Sequence, residues 1–192
     1  MRKTAGHFWK HAQLVGSIGA ALLMLPAALM GQTAEPPVSV IGHFTNMRFT
    51  EEHAYGYAVD LWRRGDTLLG LFLASEGLQG DTPTGLLEDV KFETKTGQLS
   101  FHTKLSIGLV YSKEHNGAPS RDIFEFSGVL GTNRLTGTLK RLDGLSPQGA
   151  PKIEQIALTR SKSNEGIEPF KSLDDWKKAA EEILKYRGPK WR

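Results

Sequence analysis

Six aromatic residues, Tyr55, Tyr57, Phe92, Phe101, Phe124 and Phe126, are the side chains best suited to hold a small apolar or amphipathic molecule. Each offers a large apolar face, and the tyrosines add a hydroxyl. The same six would also serve as plain core, because the inside of an eight-stranded barrel has room for little besides side chains. Two carboxylates, Asp60 and Glu88, stand among apolar neighbours, where a close pair could exchange protons with a substrate. A rim position, or an ion pair with Arg141 or Arg160, accounts for them equally well. His43, His53, His102 and His115 lack the spacing that would gather them, or a carboxylate, around zinc or copper on one strand face. The sequence has no cysteine, which removes disulfides, thiolate metal sites and cysteine nucleophiles. No serine stands in a nucleophile elbow, and Gly128 to Gly131 opens no helix that could cradle a phosphate. The residues assign no catalytic group, no metal ligand and no cofactor, and they lean away from an enzyme.

Strands must position those rings. From Ile123 to Arg141, Phe124, Phe126 and Leu130 alternate, as do Leu135 and Leu139 after Gly131-Thr132-Asn133. Alternation with period two marks a strand with one buried face, and Gly and Asn accept the left-handed angles of a tight hairpin turn. Gly128 and Gly137 fall on the apolar faces, where a side chain would crowd a close neighbour. Val38 to Phe49 reads as a first strand. His53 to Arg63 is a second, with Tyr55, Tyr57, Val59 and Leu61 on one face and Asp60 and Trp62 on the other. Arg64-Gly65-Asp66, the cell-adhesion tripeptide, reads here as a hairpin turn into a third strand, Thr67 to Ala74. That strand is apolar on both faces, so something must cover the sheet outside it. Leu86 to Phe92 is a fourth strand, and Lys95-Thr96-Gly97 turns into a fifth carrying Leu99, Phe101 and Leu105. Ile107 to Ser112 either continues it or forms a sixth, and Glu114 to Ser120 reads as a polar loop. Ile153 to Arg160 is the last strand. The spacing predicts an all-β fold: an antiparallel meander of about eight strands, closed as a small barrel or folded as a sandwich.

The chain changes character at its end. After a polar linker from residue 163, Ser172 and Asp175 make an N-terminal capping box. Leu173, Trp176, Ala180, Ile183, Leu184 and Arg187 recur at helical spacing, and Gly188-Pro189 stops the helix. Its acidic residues favour docking on the outer face of the third strand over lying on a membrane surface.

Residues 1–34 read as a signal peptide. Arg2, Lys3 and Lys10 precede the uncharged run Leu14 to Met30, and the cut falls near Ala34. The rival is an uncleaved anchor, for which this run is short and interrupted by Gly16, Gly19 and Pro26. The domain then occupies 35–162, followed by the linker and helix over 163–192, in a periplasmic or extracellular compartment. The full chain carries 24 basic and 21 acidic residues. The leader holds three of the basic ones and no acid, so the remainder is formally neutral. A neutral domain argues against a nucleic-acid partner.

A meander of this kind followed by one docked helix resembles the lipocalins and the wider calycins. Gly42-x-Phe44 looks like their G-x-W triplet with Phe in place of Trp, and Arg160 stands where their arginine packs across that aromatic residue. The resemblance implies a barrel whose open end receives a small apolar or amphipathic molecule. The leading expectation is therefore a binding barrel lined by the six rings. The alternative is a structural or interaction module of the cell envelope, with a filled core and a protein partner. Oligomeric state is left open.

Overall fold

The computed structural model describes residues 35–78, 82–106, 109–111, 116–146, 148–163 and 166–185. The expected leader, His115 and the helix stop at Gly188-Pro189 lie outside the described residues. The strands are β1 (Ser39–Thr45), β2 (Arg48–Phe49), β3 (His53–Arg64), β4 (Thr67–Leu78), β5 (Thr84–Leu86), β6 (Glu88–Glu93), β7 (Gln98–Lys104), β8 (Leu109–Tyr111), β9 (Asn116–Pro119), β10 (Ile123–Leu130), β11 (Arg134–Leu142) and β12 (Lys152–Arg160). One helix, α1 (Leu173–Lys185), follows them. All strands but β8 and β9 form one antiparallel sheet in the order β5-β4-β3-β1-β12-β11-β10-β7-β6, with β2 on β3, and this sheet is a nearly closed barrel.

Closure explains why the fourth strand expected over Leu86 to Phe92 divides in two. β5 pairs with β4 and β6 pairs with β7, so the two edges of the sheet are halves of one bent strand joined at Leu87. Leu87 N–H donates to the Gly70 carbonyl at 3.0 Å, and Ser106 N–H donates to Thr84 at 2.9 Å, which knits the seam. The bend is concentrated at Asp89, with φ 47°, beside a register shift between Glu88 and Lys91. Gly85 makes the approach possible, since a Cβ there would lie 2.3 Å from the Lys104 carbonyl oxygen. The first expected strand also divides, because Asn46 and Met47 interrupt it before β2. The segment expected as a polar loop from Glu114 instead supplies β9, which pairs with β8 in a separate two-stranded sheet. Gly131 and Asn133 do not take the expected left-handed angles. The β10–β11 turn closes through Gly131 N–H on the Arg134 carbonyl at 2.8 Å, with Thr132 and Asn133 between them. Gly65, in contrast, does turn with φ 58°.

The two faces of β4 divide the core. Leu68, Phe72 and Ala74 enter the barrel interior with Phe44, Tyr57, Val59, Leu61, Leu99, Phe101, Phe124, Phe126, Leu135, Leu139 and Leu158. Leu69, Leu71 and Leu73 join the outer cluster, where Trp62, Ile167, Phe170, Leu173, Trp176 and Ala180 cover them. Trp62 and Trp176 meet edge to face at 6.0 Å. Trp62 Nε1–H donates to the Glu168 carbonyl at 2.8 Å. Asp175 N–H donates to Ser172 Oγ at 3.1 Å, as the capping box requires. The helix thus docks on the outside of the barrel, and a two-way bridge between Val38 and Phe170 pins the segment ahead of it.

Candidate functional site

The barrel interior is occupied by rings. Phe72 stands at their centre, 4.8 Å from Phe124, 5.8 Å from Tyr57 and 6.2 Å from Phe101, and Phe101 stacks on Phe126 at 5.0 Å. Four of the six expected ligand-lining residues, Tyr57, Phe101, Phe124 and Phe126, are therefore together but packed against one another. The Phe126 ring also lies over the Gly128–Gly137 pair, where a Cβ on Gly128 would stand 2.7 Å from its tip. Phe92 is half-buried at the edge of this cluster, toward Gly128 and Val129. Tyr55 is half exposed and stacks on His53 at 6.0 Å.

One end of the barrel is built differently. β1 holds β12 at Phe44–Arg160 and Thr45–Thr159 and then diverges at Asn46 toward β3. The divergence leaves a cleft of about 580 Å³, walled by Thr45 to Arg48 on one side and Lys152, Glu154 and Thr159 on the other. Tyr55, Tyr57, Ser75 and Glu76 complete it. The Tyr57 hydroxyl donates to Glu154 Oε1 at 2.5 Å, which ties β3 to β12 where β1 has left. Burial, then the hydrogen bond to Glu154 and its charge, hold the Tyr57 hydroxyl pKa above its ordinary value, so it stays protonated. Arg141 donates from Nη1 to Glu76 Oε1 at 2.5 Å and from Nε to the buried Asp122 at 2.6 Å. Burial alone would lower the Arg141 pKa, but hydrogen bonds and charge from Glu76 and Asp122 outweigh it and raise the value. Ser75 is buried and its hydroxyl has no hydrogen-bond partner, but it alternates with Ala74 and Glu76 and so faces outward with Leu71 and Leu73, not into the cleft. A buried polar atom left so costs about 1–3 kcal/mol, which makes it a feature that needs a reason.

The other expected site residues separate. Asp60 and Glu88 do not meet: the Asp60 carboxylate accepts from His43 Nδ1–H at 2.6 Å, while Glu88 lies 3.3 Å from His102. Arg160 lies across Gly42, whose Cβ would stand 2.7 Å from its Nε, and its register partner Phe44 is buried beneath. No group of three or more His, Asp or Glu among the described residues could hold a metal ion. No described helix is long and apolar enough to cross a membrane. Sequence reasoning missed Glu76, Asp122 and Glu154. Their signal was polar residues at the ends of otherwise alternating apolar strands.

Comparison of the chain with family models, with curated proteins and with solved structures gives no match in any of the three.

Proposed function

We propose that this protein is an exported binding barrel that takes a small amphipathic molecule in the cleft between β1 and β12. The barrel interior beneath is packed core in this reading, not pocket. The observation that carries it is the cleft itself: about 580 Å³ of space in which the half-exposed Tyr55 ring stands beside the Tyr57 hydroxyl and the Glu76 and Glu154 carboxylates. Small-molecule sites combine apolar surface with a few placed polar groups in this way. Export rests on the leader pattern, and the lipocalin-like arrangement on Gly42, Phe44 and Arg160; both belong to the same proposal. A second reading, an envelope interaction module without a ligand, draws on the ring-filled interior and on Phe49 and Ile153, which are each 64 % exposed.

Mass spectrometry of the protein purified from the exported fraction tests both readings. Extra mass in the native spectrum that disappears on denaturation, and is reduced by Tyr55→Ala, is the result expected of the binding barrel. A bare chain that also acquires no mass when amphiphiles are added would overturn it and favour the interaction module. The denatured mass reports independently whether the chain begins near Glu35.

A further inference from the structure

We infer that the cleft between β1 and β12 selects a ligand with an organic cationic head group, such as an alkylammonium. The inference rests on the binding reading above and adds the sign of the ligand's charge. At this end of the barrel Glu76 and Asp122 hold the Arg141 guanidinium, and a third carboxylate, Glu154, lines the same cleft on the Tyr57 hydroxyl. Asp122 is buried and fully engaged, by Arg141 on one oxygen and by Gly144 N–H on the other at 3.2 Å. Glu76 and Glu154 are not. Each has one oxygen bonded, to Arg141 and to the Tyr57 hydroxyl, and neither second oxygen has a partner among the described residues. Tyr57 is a neutral donor, so it orients Glu154 without neutralising it.

The cleft also has two cations, Arg48 and Lys152, and they cancel its formal charge. Their placement is what differs. Both are exposed, whereas Glu76 and Glu154 are half-buried. Exposed charges are screened within about 8 Å at physiological salt, and half-buried ones much less. The field inside the cleft is therefore that of the carboxylates. A compact metal ion does not fit, because the carboxylates do not converge as a described metal-ligand group. An organic cation spreads its charge over several atoms and can answer separated carboxylates at once. Tyr55, half exposed in the cleft wall, offers a ring face, which attracts such cations.

The test is a titration with twelve-carbon amphiphiles that differ only in the head, each kept below its micelle concentration. Dodecylamine and dodecyltrimethylammonium are the cationic probes, dodecanoate the anionic one and dodecyl maltoside the neutral one. The expected result is one-to-one binding of the cationic probes, weakened about tenfold by Glu154→Gln, since a half-buried ion pair is worth more than a surface pair. Lys152→Gln, which removes a competing cation, should leave that binding intact or tighten it. Equal binding of all heads, or a preference for dodecanoate that Arg48→Gln abolishes, would overturn the charge assignment and leave the binding barrel standing. No binding of any probe would overturn both. Loss of binding in Glu154→Gln counts only if its unfolding midpoint stays near that of the unsubstituted chain.

Discussion

The Tyr57 hydroxyl donates to Glu154 at 2.5 Å, and the two residues belong to strands that are not neighbours in the sheet. β1 should lie between them, but it turns away at Asn46. The amide of Tyr57 donates to the Asn46 side chain at 2.8 Å on that departing edge. One residue therefore secures both lips of the cleft, with its backbone on one and its hydroxyl on the other. Its ring meanwhile closes the interior against Phe72 and Phe124.

Tyr57 should make the fold sensitive to alkali. Its folded-state pKa is raised, first by burial and then by Glu154. Below the ordinary tyrosine value of about 10, folded and unfolded chains both hold the proton and the contribution is complete. Above it the unfolded chain loses the proton first, so stability falls as pH rises, by up to about 1.4 kcal/mol per pH unit. Urea unfolding followed between about pH 9 and 12 should show this slope, and Tyr57→Phe should flatten it. Equal slopes in the two proteins would mean that Tyr57 titrates alike folded and unfolded.

Phe72→Ala should cost about 3–5 kcal/mol, the range for deleting a ring from a packed core. Phe72 is fully buried among three rings. Tyr55→Ala, at a half-exposed position, should cost well under that. Denaturant unfolding of both variants decides the matter. A small loss at Phe72 would mean that the interior can collapse or open, and the six rings would again be candidates to line a pocket.

Period-two alternation made most of this architecture legible. It placed Tyr57, Val59 and Leu61 on one face and Trp62 on the other. The two-sided apolar run in β4 announced that something covers it, and Trp176 does. The bend at Leu87 was not legible, because it follows from bringing the two sheet edges together, a condition no local window contains. The same holds for the cleft. Glu76, Arg141 and Glu154 each stand on the inward parity of their strands, two or more residues beyond the last core side chain. Local reading sees three rim charges there. Only the register, which sets Arg141 opposite Lys152 and Glu76 opposite Tyr55, gathers them. Asp60 shows the converse, a carboxylate among apolar neighbours in sequence that faces His43 on the outer wall.

Arg141→Met should destabilise by about 3–5 kcal/mol, because it strands the buried Asp122 carboxylate without its cation. Glu76→Gln should cost about 1 kcal/mol or less, since that carboxylate keeps contact with solvent. Adding Asp122→Asn to Arg141→Met should recover part of the loss. A double-mutant cycle on urea midpoints measures the coupling. If the double variant is no better than Arg141→Met alone, the cost lies in the packing of Arg141 over the Phe124 ring, 5.9 Å away, and not in the stranded charge.

Trp176→Ala should uncouple the helix from the barrel. Trp176 is buried against Trp62, and its neighbours Leu173, Phe170 and Ala180 cover Leu69, Leu71 and Leu73 of β4. A helix of this length is marginal by itself in water, so its order depends on that contact. Removing the ring should cost about 3–5 kcal/mol if the helix and barrel unfold as one unit. If they unfold separately, the barrel midpoint should stay put while helical signal is lost first. In either case the outer face of β4 becomes available to other chains. Sedimentation of Trp176→Ala should then show association that the unsubstituted protein lacks at the same concentration. A monomeric variant with unchanged stability would mean that Phe170 and Leu173 cover β4 without Trp176.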